Sequence, residues 1–505
     1  MKRYLLGIDV GTTGVKALLV DSTGRVVAGS IERHEMRTPR PLWVEQEPED
    51  WWKGAVASIW TVMRKAKVDS EQIVGVGLTG QMHGLVLLDS EGKVLRPCIL
   101  WNDQRSAPQC DAMTERIGKE RLIALTGNVL LPGFTAPKIE WVRQNEPKVF
   151  RRARRLLLPK DFIRFKLTGE YKSDVADASG TLLMDVKNRR WSDEMIEELR
   201  IPYEWLPEVT ESVEVSASVS VKGSRSTGLK ERTPVVGGAG DQAAQAVGSG
   251  TVRDGMTSIT IGTSGVVFAA SERYAFERDG RLHAFCHAVP GRWHLMGVML
   301  SAGGSLKWLS DTFGKSSYDR LTSDASKVPA GSEGLIFLPY LSGERTPHPD
   351  PHARGVLLGL SHRHTRAHIT RSVIEGVTFG LRDMLELVRA CDIKASEVRA
   401  SGGGAKSKLW LQVLADTFDC GVAKLRVDQG AAYGGALLAG VGVDMFGSVD
   451  EACDRCVRVA SHVRPGKDAK VYERYYERFR ALYPLLREEF AALSALEDAH
   501  RNGAR

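Results

Sequence analysis

At 505 residues the chain is too long for one hydrophobic core, which rarely grows beyond ~250–300 residues, so two domains or more are expected. An apolar fraction of 43% with 26% charged residues excludes a disordered chain, and no stretch approaches the ~20 apolar residues of a membrane span. A net charge of +7 over this length is mild; it admits anionic substrates but gives no footprint for nucleic acid or a membrane surface. The seven cysteines are scattered and odd in number, and the apolar run after Met1-Lys2-Arg3 is too short for a signal peptide, so a cytoplasmic protein is expected.

In chain order, strands are predicted over residues 4–9, 15–20 and 25–31, a meander whose second turn is Asp21-Ser22-Thr23-Gly24. A helix follows from about Glu49, with Glu49 and Asp50 at its positive end. A buried strand over 73–78 delivers the loop Thr79-Gly80-Gln81-Met82-His83-Gly84. Strands over 85–88 and 94–100 flank the turn Asp89-Ser90-Glu91-Gly92 and end in Trp101-Asn102-Asp103. Residues 104–200 read as mostly helical, and the basic stretch 151–155 as a solvated helix end. A strand over 234–238 exits through glycines into a helix at Asp241, and a domain boundary is expected near 245, dividing the chain into 1–245 and 246–505. The second part repeats the logic: a hairpin near 256–270, a strand over 293–298, a helix from 301, a long helix over 366–389, a strand over 398–400, a helix from 406 and a closing helix over 471–496. Alternating strands and helices define an α/β protein.

One signature occurs twice, at Val10-Gly11-Thr12-Thr13-Gly14-Val15 and at Ile261-Gly262-Thr263-Ser264-Gly265-Val266. Each copy joins two apolar runs, as a β-hairpin turn would, and exposes backbone N–H groups able to cradle an anion. Two such turns facing each other suit a polyphosphate held from both sides. Asp9 precedes the first copy and Thr260 the second, so the fold is duplicated and the chemistry is not.

A carboxylate at Asp9 would repel phosphate unless a cation lay between them, which points to a magnesium anchor acting through water. A turn-forming Asp is the plainer alternative, disfavoured by the matched turns. Asp241, after glycines at a helix start, has N-capping as its plain reading. As a catalytic group it is expected to be ionised, because a helix N-terminus lowers a carboxylate pKa, and to act as a weak base in phosphoryl transfer. Gln242 beside it is placed to orient a substrate hydroxyl. Ser401-Gly402-Gly403-Gly404-Ala405 is a candidate nucleoside platform. Gln81, Met82 and His83 with Trp101, Asn102 and Asp103 supply the amide, imidazole, indole and carboxylate groups that bind a polyol. Cys453 with Cys456, and His362 with His364 and His368, mimic metal spacing but lack supporting partners, and are expected to be structural.

These residues bring a family into view. The chain resembles, over nearly its whole length, the FGGY carbohydrate kinases of the actin-like ATPase superfamily. The motifs that carry the likeness are Gly7-Ile8-Asp9-Val10-Gly11-Thr12-Thr13-Gly14-Val15-Lys16, Gly80-Gln81-Met82-His83-Gly84, Trp101-Asn102-Asp103-Gln104-Arg105, Pro132-Gly133-Phe134-Thr135-Ala136-Pro137-Lys138, Leu158-Pro159-Lys160-Asp161, Gly262-Thr263-Ser264-Gly265 and the segment 337–345 ending in Gly343-Glu344-Arg345. The resemblance implies a two-domain, ribonuclease H-like α/β fold with duplicated sheet cores flanked by helices. It implies ATP and Mg²⁺, and phosphorylation of D-xylulose at O5, with the sugar bound mainly by the first half and ATP mainly by the second. By position it makes Asp241 the catalytic base and Asp9 the magnesium and phosphate residue, with Met82, His83 and Gln242 on the sugar. Thr12, Thr13, Lys16, Gly262 and Thr263 would hold phosphates, and Gly303, Gly403, Gly404 and Ala405 the rest of the nucleotide. Gln242 stands where many members carry Asn. A homodimer is expected from the same likeness. The alternatives are a kinase for another ketose or polyol, or an actin-like ATPase that serves as a binding module.

Overall fold

The computed structural model describes residues 2–395, 397–426 and 429–503, with side chains as far as 497. Its frame is two seven-stranded sheets. In the first, Tyr4–Val10 pairs antiparallel with Gly14–Asp21, which pairs antiparallel with Val26–Arg33; on its other side Tyr4–Val10 runs parallel to Ile73–Gly80. In the second, Met256–Ile261 pairs antiparallel with Gly265–Ser271, that strand pairs antiparallel with Trp293–Met299, and Met256–Ile261 runs parallel to Glu397–Gly402. The two cores are therefore copies of one four-strand pattern, which is the duplicated architecture the repeated turn predicts.

Most predicted elements fall within a few residues of their expected places. The helix expected from 301 begins at Gly303 and the long helix spans Arg366–Ala390. The stretch 104–200 is less purely helical than its pattern implies. Short strands interrupt it, Arg155–Leu157 pairing with Val86–Leu88 and Lys172–Asp174 with Glu208–Thr210. Residue 245 lies inside the helix Asp241–Ser249. That helix packs against Ala431–Gly442, which in turn lies across strands Tyr4–Val10 and Ile73–Gly80 of the first sheet.

Glycine makes this crossing possible. A Cβ at Gly77 would fall onto the Gly435 carbonyl, and one at Gly434 onto that of Ala244. Backbones can approach this closely only where the residue facing the other chain's carbonyl has no Cβ. The core is likewise shared: Leu130, Phe134 and Leu182 pack in one cluster with Phe285, Cys286 and Met296. Cys453 is buried with its thiol on the Val247 carbonyl, and His368 completes a capping box with Thr365. Among the described residues no helix is long and apolar enough to cross a membrane.

Candidate active site

Thr12 and Ser264, one from each glycine turn, line a single cavity of about 140 Å³. Met82, His83, Trp101, Leu131, Gly133, Phe134, Asp241 and Gln242 complete its first-half wall; Val266, His283, Met296, Val298 and Arg345 come from the second half. The cavity thus lies between the two sheets, with the larger share of its lining from the first half. Strand Gly265–Ser271 contributes Val266 to it, and strand Trp293–Met299 contributes the alternate residues Met296 and Val298.

The first turn is held in place before any ligand arrives. The Thr12 hydroxyl donates to Gln81 Oε1 at 3.1 Å and accepts from Trp101 Nε1 at 3.0 Å. Gln46 Nε2 donates to the Thr12 carbonyl at 2.7 Å, and Gln81 Nε2 donates to Gln46 Oε1 at 2.8 Å. Gln81 therefore braces Thr12 from a fully buried position, whereas the sequence places it on the sugar. Asp103 is also turned inward. It is buried, accepts from the Val44 N–H at 2.6 Å and pairs with Arg105 at 2.7 Å, whose guanidinium lies over Trp43. Asn102 directs its amide at Met36 Sδ, 3.9 Å away. Of the Trp101-Asn102-Asp103 triplet only Trp101 reaches the cavity, since the tight turn that exposes the indole points the next two side chains elsewhere.

His83 is set with similar care. Its backbone is left-handed, at φ 68°, and its Nδ1 lies 2.7 Å from the Gly180 carbonyl. A carbonyl can only accept, so Nδ1 carries the proton and Nε2 is left as an acceptor for a substrate hydroxyl. Burial holds the imidazole well below its usual pKa, assisted by the charge of Lys138, so it stays neutral. Lys138, itself buried, donates to the carbonyls of His83 at 2.8 Å and Gly133 at 2.7 Å, clamping two walls of the cavity together.

The carboxylates behave differently from expectation. Burial first, then the negative charge of Asp9, pushes Asp241 up to about 7, while hydrogen bonds from Gln242 pull it back only in part. Gly240 occupies the N-cap position, and no side chain caps that helix end. The prediction of a strongly ionised, weakly basic Asp241 is thus corrected: desolvation and a like charge outweigh the helix dipole, which falls off within one turn. Asp9 is pushed up to about 6 by burial, with Lys16 opposing, and its Oδ1 is buried without a partner. Two carboxylates that repel each other, one with an orphaned oxygen beside a phosphate turn, fit a divalent cation. Among the described residues no three ligating side chains cluster.

The remaining glycines gather at the end of strand Met256–Ile261. The Gly303 N–H donates to the Gly262 carbonyl at 2.8 Å and the Gly304 N–H to that of Thr263 at 3.0 Å, seating the second turn on a helix N-terminus. A Cβ at Gly404 would lie 2.5 Å from Ile261 Cγ2, so Gly403, Gly404 and Ala405 lie against the same strand end. Thr13 is exposed at the tip of the first turn. Lys16 lies farther along, its Nζ donating to the Gln429 carbonyl at 2.7 Å.

Sequence reasoning missed His283 and Arg345 as cavity residues and Lys160 as an organiser. The buried Lys160 ammonium pairs with Asp161 at 2.5 Å, Asp174 at 2.6 Å and Asp177 at 3.5 Å. Asp174 caps the helix Val175–Ala178, which leads to Gly180 and so to the His83 tautomer. The Leu158-Pro159-Lys160-Asp161 motif was the available signal for this cluster.

Two duplicated sheets whose glycine turns open on one cavity form an actin-like ATPase frame, and comparison with known proteins agrees. Residues 4–248 match the N-terminal domain of the FGGY family of carbohydrate kinases and 257–443 its C-terminal domain; the chain belongs to this family. It is 41% identical to xylulose kinase of Escherichia coli, over 95% of this chain and 99% of that one, and 38% identical to xylulose kinase of Bacillus subtilis, over 98% and 99%. The crystal structure of xylulose kinase from Rhodospirillum rubrum superposes with a TM-score of 0.90 at 30% identity, covering 97% of this chain and 100% of that one.

Proposed function

We propose that this kinase transfers the γ-phosphoryl group of ATP to O5 of D-xylulose, giving D-xylulose 5-phosphate and ADP. The observation that carries the reading is the shared cavity: Thr12 and Ser264, from twin turns, meet Asp241 and a sugar-sized pocket at one point. The names of the relatives supply the sugar.

In this reading Asp241 accepts the O5 proton as the O5–P bond forms and the bond from phosphorus to the β,γ-bridging oxygen breaks, its electron pair leaving with ADP. A pKa near 7 places the carboxylate close to the operating pH, where a general base is most effective. Gln242 orients the hydroxyl, Met82 packs on the carbon chain and His83 Nε2 accepts from a sugar hydroxyl. The turn backbone beyond Gly11 and Gly262, with Thr12, Thr13, Lys16 and Thr263, holds the phosphates. Gly303, Gly403, Gly404 and Ala405 leave room for the rest of the nucleotide. Asp9 would hold Mg²⁺ through water; when bound, the ion neutralises charge between carboxylates and phosphates. We divide the chain near residue 245 into a mainly sugar-binding part, 1–245, and a mainly nucleotide-binding part, 246–505, the helix Ala431–Gly442 crossing back to the first. Closure of these parts would exclude water, which would otherwise accept the phosphoryl group. Cytoplasmic residence and a homodimeric state complete the proposal; the cysteines are all free thiols. The test is ADP release with a panel of ketoses and polyols. D-xylulose should give the highest kcat/KM, and sugar-independent ATP hydrolysis as the main activity would sink the reading.

A further inference from the structure

The second half sets an imidazole against the sugar cavity from an otherwise apolar strand. His283 opens the strand His283–Cys286 and stands opposite Met296, a cavity residue, in the antiparallel ladder with Trp293–Met299. Opposed residues of such a pair project to the same face, so the ring belongs to the cavity side of the sheet. Its Nδ1 is buried without a partner, whereas Nε2 stays open to the cavity that the ring lines. His294, two residues from Met296 and on the same face, is a different case. Both of its ring nitrogens are buried, and its ring stacks on Phe268 with centroids 4.1 Å apart.

The His283 ring is held still by its neighbours. It stacks on Phe285, centroids 5.7 Å and planes 15° apart, and meets Phe134 edge-on at 5.3 Å. Phe134 also meets His83 edge-on, at 4.7 Å, so one first-half phenyl ring spaces the two imidazoles. Burial, then the charge of Arg345, lowers the His283 pKa to about 3, so the ring is neutral and carries one proton. A donor left unpaired in the interior is rarer than an unpaired acceptor. The proton therefore belongs on Nε2, where a ligand oxygen can reach it, and Nδ1 keeps the lone pair. His83 has the opposite capacity, because the Gly180 carbonyl leaves its Nε2 as an acceptor. The cavity thus offers an acceptor on the first-half wall and a donor on the second. Resting on the sugar assignment above, we propose that His283 is a sugar-binding residue whose Nε2–H donates to an oxygen of D-xylulose other than O5, giving the second half a direct part in choosing the acceptor.

The test compares kcat/KM for D-xylulose, and the KM for ATP, in wild type, His283→Gln, His283→Phe and His294→Phe. Glutamine can place an amide N–H close to where Nε2–H stands; phenylalanine keeps the aromatic packing and removes the donor. Hydrogen bonding and packing therefore predict opposite orders. His283→Phe should lose about 10-fold or more in kcat/KM, chiefly through KM, and His283→Gln should retain more activity than it does. His294→Phe should stay within a few fold of wild type, and the KM for ATP should hold throughout. Three results overturn the inference: His283→Phe outperforming His283→Gln, His294→Phe losing as much as His283→Phe, or a KM for ATP rising in step with that for the sugar. A second readout needs no turnover. In enzyme with isotopically labelled histidine ring nitrogens and no nucleotide, D-xylulose should shift the protonated Nε2 resonance that His283→Phe removes; an Nδ1-protonated ring or an unmoved signal overturns the inference. A wild type that prefers another ketose or polyol breaks the sugar assignment instead, and the same order of variants on that acceptor decides for or against His283. A wild type that phosphorylates no polyhydroxy compound overturns both.

Discussion

The two glycine turns are copies in sequence, differ by one residue in the span they close, and are opposites in chemistry. Gly11 N–H closes the first onto the Gly14 carbonyl at 3.1 Å, and Gly262 N–H closes the second onto the Ser264 carbonyl at 3.0 Å. In register, Asp9 faces Lys16 on one side and Thr79 on the other; Thr260 at the equivalent place faces Val266 and Ser401. Thr260 and Ser401 satisfy each other at 2.9 Å, and Gln245 Nε2 adds a second bond, to the Thr260 hydroxyl, at 2.9 Å. Asp9 Oδ1 and Thr79 Oγ1 are buried without partners. One copy is complete by itself, while the other waits for something charged. Duplication supplied the cradle, and divergence left a polar debt in a single half, where a cation and a phosphate can discharge it.

The largest expected effect removes the group that this asymmetry serves. Asp241→Ala should lower kcat by ~10² or more with nucleotide affinity unchanged, since only the proton acceptor is lost. Rate assays with and without D-xylulose, paired with ADP binding, check this. Retained turnover would take the base away from Asp241.

Next comes a matched pair across the two turns. Asp9→Asn should raise the magnesium concentration needed for half-maximal rate, whereas Thr260→Val, at the equivalent place, should leave the magnesium titration where it is. If both variants shift it alike, the turns are not chemically distinct and the comparison fails.

A smaller effect separates the sugar wall from the nucleotide side. A Cβ at Gly180 would overlap His83 Nδ1 and approach Met82 Cε to 3.2 Å. Gly180→Ala should therefore raise the KM for the sugar several fold by tilting the imidazole, with the KM for ATP steady, because the added atom touches only the sugar wall. A shift in the KM for ATP of similar size would mean that the two ends are mechanically one.

How much of this could be read from the chain alone follows from what each feature depends on. The twin turns were legible because glycine is demanded where a hairpin turn must be tight and bare, and the repeat announced the duplicated sheets. The Met82-His83 pair was legible for a similar reason, as one compact loop. What failed were inferences needing distance. Nothing in the order of residues says that position 9 lies near position 241, so the helix dipole was weighed without the opposing carboxylate. Asp103 was assigned to the sugar although Arg105, two residues on, was its natural partner; only the placement of Trp43 shows that the pair is roofed and buried. His283 and Arg345 stand roughly two hundred residues or more beyond the loop that lines the same cavity; His283 opens a short buried strand, and Arg345 ends the 337–345 motif, whose residues do not reveal what they face.

The smallest expected effect concerns Lys138, the clamp behind the sugar wall. Burial lowers its pKa from 10.5 to about 7, and the groups it holds are neutral carbonyls rather than a carboxylate. The sign follows from proton counting. Between pH 7 and 10.5 the unfolded chain keeps a proton that the folded chain has given up, so stability rises with pH through that window. Below pH 7 both states are protonated and the penalty for burying the charge is constant. In Lys138→Met the titration is absent, so the stability gap should move in favour of wild type by about 1 kcal/mol between pH 7.5 and 8.5, within the limit of 1.4 kcal/mol per pH unit. Urea unfolding of both proteins at the two pH values measures it. A gap independent of pH would mean that the ammonium keeps its proton inside the protein, and that the clamp on the His83 and Gly133 carbonyls is charged throughout.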